Sequence, residues 1–429
     1  MRTWFGKINF HKYNFFLYIC MGIFLVFFTI YASSVVFKKK HTELNNPALT
    51  TALDRQIEKL ESQINSKTAN TQTYITLSSL YIQKIRETAD TDYYNKIDAL
   101  MNQASEREPG NSDILATKAL VAIGRHNFID GKMQIEKAIA IDGTHFTYYG
   151  TLGDSSIELG QYDDAVTAFQ KMVDLRPDFS SYSRIAYIRE LYGDIPGAKE
   201  SLRTAIVSGS SFKENIAWAH TELGKLELHS DAAKAKLEFD TALSIVPEYP
   251  PALEGLAKIE VGKKNYTGAI KILEKAYAVL PIAQYAIDLG DVYLLAGDSV
   301  KSNQYFTLAK ITFEKTQSSG TITDLEQSFF LSDHELDLAV ALNKAESAYK
   351  ARPLNIYAAD YYAWALYKNG KISEALALKQ KALALGEHDA LILYHQGVIE
   401  REFGNTREGE RLITKAYSIN PYFSFREIK

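Results

Sequence analysis

Between Pro247 and Pro281 the apolar positions fall at Leu253, Leu256 and Ala257 and then, after Tyr266, at Ala269, Leu273 and Ala276. Steps of three and four put each group on one stripe of a helix, so this interval predicts two amphipathic helices joined by a turn. The interval repeats. Six of the ten prolines, Pro109, Pro177, Pro247, Pro281, Pro353 and Pro421, are separated by 68, 70, 34, 72 and 68 residues. Gly160 and Gly193 stand 33 apart, and Gly370 and Gly404 stand 34 apart. A fixed period of this size marks stacked supersecondary units, each too small to bury its own apolar face. Within a unit, Pro stops the second helix and Gly makes the turn between the two.

One stretch breaks the pattern. Residues 13–37 carry no charge, and 15–37 read FFLYICMGIFLVFFTIYASSVVF. A helix of that length crosses a hydrocarbon core of roughly 30 Å at roughly 1.5 Å per residue. The expectation is one transmembrane helix over 13–37 behind a basic leader over 1–12. A cleaved signal peptide is the competing reading, although its apolar core usually runs to roughly 7–15 residues and only Ala32-Ser33-Ser34 resembles a cleavage site. Cys20 falls inside the run and reads as a lipid-facing side chain. Arg2, Lys7 and Lys12 on one side nearly balance Lys38, Lys39, Lys40 and Arg55 on the other, so charge does not set the orientation. A long body behind a basic leader is expected on the extracytoplasmic side, periplasmic or at the cell surface, with a cytoplasmic body as the alternative. Asn45, Asn46 and Pro47 mark a linker over 38–52.

Leu53, Ile57, Leu60 and Ile64 follow at steps of four, three and four. Over 53–70 this predicts a leading half-repeat that caps the stack, because two heptads are too few for a dimerising coil. About ten units are expected over 71–424, starting near Thr71, Ser112, Phe146, Phe179, Ile216, Pro250, Ala283, Ile322, Ile356 and Ala390, with 425–429 as a tail. The unit from Phe146 carries Tyr149, Leu152-Gly153, Gly160, Tyr162, Ala165, Phe169 and Pro177. That from Ala283 carries Leu289-Gly290, Tyr293, Gly297, Phe306 and Ala309. These residues resemble the tetratricopeptide repeat, and the resemblance implies an all-α solenoid, a right-handed superhelix of helix-turn-helix units. Residues 81–109, 162–193, 363–386 and 389–423 also resemble a widespread group of exported or membrane-anchored bacterial tetratricopeptide proteins, which implies no particular activity. One region departs from the pattern. Residues 310–331 read as irregular, with Ser318-Ser319-Gly320 as a loop, and Ser332 with Glu335 has the spacing of a capping box, which predicts a helix restarting over 336–350.

The period changes what length implies, since 429 residues would otherwise suggest two or three globular cores. Net charge divides as well. The first 40 residues hold six basic side chains and no acidic one, so of 48 basic and 52 acidic side chains the remainder keeps 42 and 52. An acidic body without a basic stripe disfavours nucleic-acid binding. A lone cysteine excludes both an internal disulfide and a cysteine zinc site.

No catalytic constellation emerges. Gly131-Lys132 is followed by Met133 rather than Ser or Thr, His334-Glu335 meets Leu338 where a zinc protease needs a second His, and no Gly-x-Ser-x-Gly occurs. His220 and His229 lack evident carboxylate support and read as solvated or turn positions. No metal and no cofactor is expected. Stacked helix pairs recognise partners on the face lined by the first helices. The residues offset from the packing stripe there are Tyr187, Trp218, Tyr357, Asp360, Trp364, Tyr367, Tyr394 and Arg401, whereas Phe169, Tyr293 and Phe306 sit on the packing stripe itself. Aromatics supply contact area and Arg supplies directional hydrogen bonds, so these eight predict a groove for a protein or peptide. The functional expectation is a membrane-anchored, non-catalytic scaffold or adaptor. A cell-envelope factor that stacks glycan or another polymer on the same aromatics is the alternative, and an enzyme with an unrecognised site is a further one.

Overall fold

The structure is a computed structural model that describes residues 51–428. The basic leader, the apolar 13–37 stretch and nearly all of the expected linker lie outside those residues. Among the described residues no helix is long and apolar enough to cross a membrane, and no strand occurs. The chain divides into two compact units, residues 1–68 and 69–429. Of the first, the helix Ala52–Asn65 is described. Thr51 starts it with a capping box: its hydroxyl accepts the Asp54 backbone N–H at 3.1 Å, and the Asp54 carboxylate accepts the Thr51 N–H at 3.1 Å. Leu53 and Ile57 are buried on one stripe of this helix.

In the second unit Thr71–Thr88 pairs with Tyr93–Arg107, Ser112–Gly124 with Phe128–Ile141, and Phe146–Glu158 with Tyr162–Leu175. Phe179–Leu191 pairs with Ile195–Ser208, Lys213–Glu227 with Ala232–Ile245, and Pro250–Gly262 with Tyr266–Val279. Ala283–Leu295 pairs with Ser299–Ser318, Asp324–Asp333 with Leu338–Ala351, and Ala390–Phe403 with Thr406–Ile419. Ile356–Lys368 faces a second helix broken into Ile372–Leu376 and Lys379–Ala382.

The turns explain the glycine period. In nine of the ten pairs one residue between the helices adopts positive φ, where a Cβ is strained, and the turn between Glu227 and Ala232 has none. Gly160, Gly193, Gly297, Gly370 and Gly404 fill that place, with φ between 75° and 105°. In four pairs without a turn glycine, Ala89, His126, Lys264 and Glu335 occupy it at 56°, 60°, 59° and 51°. A second set of glycines serves packing instead. A Cβ on Gly153 would lie 2.1 Å from the Phe169 ring, one on Gly290 2.3 Å from Phe306, and one on Gly255 2.3 Å from Phe239. The first helix thus offers a bare backbone against which the phenyl ring of a second helix lies flush. Phe169, Phe306 and Tyr293 are buried, as their place on the packing stripe requires.

Residues 299–338 fold differently from expectation. Ser299–Ser318 is one continuous helix of 20 residues, and Asp324–Asp333 forms where irregular chain was expected. Ser332 is fully buried inside that helix and caps nothing. The next helix begins at Leu338 because Asp337 accepts the Val340 N–H at 3.1 Å.

The second unit also returns on itself. Ile322 N–H donates to Arg125 O at 2.9 Å, Arg125 Nε to Ser319 O at 3.2 Å, and Arg352 Nη1 to Glu158 Oε2 at 2.8 Å. Ile356 N–H donates to the Tyr162 hydroxyl at 3.1 Å, and a Cβ on Gly160 would meet the Leu354 carbonyl carbon at 2.2 Å. Behind this seam Ile157, Tyr162, Phe169, Ile188 and Leu191 share one core with Ile356, Ala359, Ala382 and Ile392. The first helices therefore face an interior that this seam bounds.

Candidate protein-binding face

The first helices carry a ladder of ionisable groups along that interior. Arg184 grips Asp154 with two donors, Nε to Oδ1 at 2.9 Å and Nη2 to Oδ2 at 2.7 Å. Lys225 meets Glu222 at 2.9 Å, and Lys258 meets Glu254 at 3.0 Å. His334 Nε2 lies 2.7 Å from Asp291 Oδ1. Groups distant in sequence come within electrostatic reach: Glu190 of Asp389, Tyr357 of Tyr187, and Tyr249 of Arg86. Lys225 nevertheless keeps 42% of its side-chain surface accessible, so the space between the helices admits solvent.

Cations are in short supply on this face. Burial raises the carboxyls of Glu158, Asp291 and Asp389 and lifts Asp288 well above the carboxylate range. Burial, followed by the charge of Glu222, pushes Glu190 up to about 7. Asp333 is the exception. Burial works to raise it too, yet Arg426 above all, with His334, His395 and Lys368, carries it below its ordinary value.

The eight residues expected to line a groove divide in this setting. Tyr187 is exposed and lines a recess of about 360 Å³ with Ile123, Asp154 and Glu158, and burial with the surrounding carboxylates raises its hydroxyl. Arg401 is exposed, 3.8 Å from Glu402 and 3.6 Å from Glu410. Trp218, Tyr357, Tyr367 and Tyr394 are half-buried. Trp218 stands edge-on to Phe179 at 6.3 Å, the Tyr357 hydroxyl donates to Asp389 at 3.0 Å, Tyr367 lies 5.1 Å from Trp364, and Tyr394 packs against Phe423 at 5.3 Å.

Asp360 and Trp364 are corrections. Asp360 is fully buried and binds His395 Nδ1 at 2.7 Å and Gln396 Nε2 at 2.8 Å. Trp364 is 4% exposed, stacks on His395 with ring centres 4.1 Å apart, and donates Nε1–H to Asp333 at 3.2 Å. Both hold neighbouring first helices together, because helices packed at repeat spacing bury the side chains on their flanks. His220 is a further correction: its Nδ1 lies 2.7 Å from Glu238, which is on the paired second helix.

The sequence reading overlooked what occupies part of this face. After the last helix, residues 420–428 run across first helices rather than trailing away. Tyr422 lies against Gly262, where a Cβ would come within 2.8 Å of its ring. Phe425 is 3% exposed in a core with Ala257, Val261, Leu289, Val292 and Tyr293, and Lys258 Nζ sits 5.4 Å from its ring centre. Arg426 Nη1 donates to the Asp333 carboxylate at 2.9 Å and to the Asp333 carbonyl. The Tyr417 hydroxyl donates to Glu427 at 3.2 Å. The signal for this segment was present: Phe423 and Phe425 alternate with polar residues immediately after the stop at Pro421.

These features define a class, a stack of helix pairs whose first helices receive the chain's own residues 420–428. Residues 146–179 match the family model of the tetratricopeptide repeat, so the chain carries a repeat of that type there. No curated protein matches the sequence. Among solved structures, yeast Tom70 is similar at 15% identity, over 88% of this chain and 93% of that one, with a TM-score of 0.38. The human IFIT1 dimer with PPP-AAAA is similar at 15% identity, over 86% and 87%, with a TM-score of 0.46. Pseudomonas aeruginosa pilF is similar at 16% identity, over 48% and 95%, with a TM-score of 0.38. Among the described residues no group of three or more His, Cys, Asp or Glu is placed to hold a metal ion.

Proposed function

We propose that this protein is a non-catalytic scaffold that binds an extended protein segment on its first-helix face and is tethered to a membrane through residues 13–37. The observation that carries the reading is the seat of residues 420–428, where a stretch with little regular structure is received by several first helices at once. A face that accepts one such segment through an aromatic pocket and a carboxylate is built for peptide recognition. The uncharged 13–37 stretch supports the tether, which would raise the local concentration of the partner at the membrane surface. The extracytoplasmic side is the proposed location. Protease accessibility of the body before and after the anchoring membrane is permeabilised tests it: cleavage while that membrane is still intact is the expected result, and protection until it is breached would place the body in the cytoplasm.

The binding claim is tested by selecting displayed peptides on the immobilised full-length chain and measuring their affinity for Tyr187→Ala and Glu190→Lys variants. Neither side chain anchors a core, so melting should not fall while affinity does. Affinity unchanged in both variants would place binding elsewhere and overturn the reading.

A further inference from the structure

We infer that residues 421–428 are a built-in occupant of the partner's site, and that the partner carries an aromatic residue followed by Arg or Lys which takes the places of Phe425 and Arg426. This rests on the peptide-binding reading above and supplies its specificity. Phe425 fills a closed apolar pocket between two first helices, and the next residue delivers its guanidinium to Asp333 at the end of a third. The pocket and Asp333 form a two-point code for an adjacent aromatic and cation, since a ring of Phe size fits the apolar seat and a cationic N–H meets both the carboxylate and the carbonyl of Asp333.

The occupant is built to leave. Among 421–428 only Phe425 is buried, the regular structure is a single 3-10 turn at Phe425–Glu427, and Pro421 separates the segment from the last helix. The face does not end where the segment ends. Glu190, Glu222 and Glu254 continue along neighbouring first helices, where Lys225 pairs with Glu222 and Lys258 with Glu254. A longer basic and aromatic segment would gain these carboxylates in addition to everything the tail contacts, so an incoming partner has an advantage over the resident. Only the fraction of molecules with the tail displaced can bind, which lowers the apparent affinity by that fraction.

The test uses the full-length chain in detergent micelles and a fluorescent peptide copying residues 420–429, read by anisotropy. The Phe425→Ser, Arg426→Ser double variant should bind the peptide about tenfold or more tighter than wild type. Asp333→Asn added to that variant should remove the gain, and a peptide with Glu at the Arg426 place should not bind. Hydrogen exchange on the wild type gives a second reading that does not depend on the variant folding. Saturating peptide should expose the amides of 422–428 while the first helices stay protected. Equal affinity of wild type and a folded double variant, or an unmoved tail under saturating peptide, overturns the inference. So does a dimer formed by exchange of tails between two copies. Selected peptides that bind through Tyr187 and Glu190 without moving the tail would sink this inference and leave the scaffold reading standing. No binding to either form of the chain would sink both.

Discussion

Trp364→Ala separates a packing role from a binding role, because the two predict different losses. The indole is 4% exposed, stacks on His395 at 4.1 Å and lies among Ala363, Leu366, Leu378, Val398 and Ile399. Truncating a buried Trp to Ala leaves a cavity that costs about 3–5 kcal/mol. The lost Nε1–H bond frees Asp333 Oδ1 while Arg426 still holds Oδ2, and the carboxylate keeps 18% of its surface accessible, so the loss adds only about 1 kcal/mol. Trp364→Phe retains most of the packing and should cost about 1–2 kcal/mol, less than half of the Ala value. Because repeat stacks open locally, the clearest assay is native-state hydrogen exchange. Amides in Ile356–Lys368 and Ala390–Phe403 should exchange about three to four orders of magnitude faster in Trp364→Ala, at about 1.4 kcal/mol per decade. Those in Ser112–Gly124 should be unchanged. A loss of less than about 1 kcal/mol, accompanied by failure to bind selected peptides, would refute the packing assignment and return Trp364 to the binding face.

Two further substitutions test other physics. Gly153→Ala places a methyl 2.1 Å from the fully buried Phe169 ring, so it should destabilise the chain by about 1–3 kcal/mol in chemical denaturation, and Phe169→Leu in the same chain should recover part of the loss. Glu190→Gln tests the under-compensated carboxyl. Its native value of about 7 exceeds the ordinary 4.5, so the native state binds the extra proton between those limits and stability falls as pH rises through that window. Denaturation of wild type and variant across pH 4 to 8 should show the variant gaining up to about 3 kcal/mol on the wild type, and a pH-independent difference would contradict the assignment.

The helix pairs were legible because each rests on local signals. First helices begin at Thr71, Ser112, Phe146, Phe179, Pro250, Ala283, Ile356 and Ala390, where the period placed them. The expected starts at Ile216 and Ile322 became Lys213 and Asp324. Where the positive-φ turn residue is His126 or Lys264, the glycine period gives no signal, because geometry rather than residue type defines that position. The false restart at Ser332 shows the limit of a spacing rule. Ser and Glu three apart cap a helix only when the Ser lies outside it, and here Asp337 does the capping.

The candidate face was legible only in part, for a geometric reason. A stripe assigned from one helix says which side chains leave the helix pair but not what meets them next. Asp360 and Trp364 leave on the expected side and are met by His395 on the neighbouring first helix. The seam joining Arg125 with Ile322 and Glu158 with Arg352 depends on rotations accumulated over several units. No pair of residues near each other in sequence encodes it. The tail was overlooked because its partner Asp333 lies 93 positions away.

The most direct measurement of the central claim is a hydrogen-exchange footprint of the full-length chain with and without a saturating selected peptide. Recognition by the first-helix face predicts new protection in Phe179–Leu191, Lys213–Glu227 and Pro250–Gly262, with the second helices Ile195–Ser208 and Ala232–Ile245 unchanged. Protection confined to those second helices would contradict it.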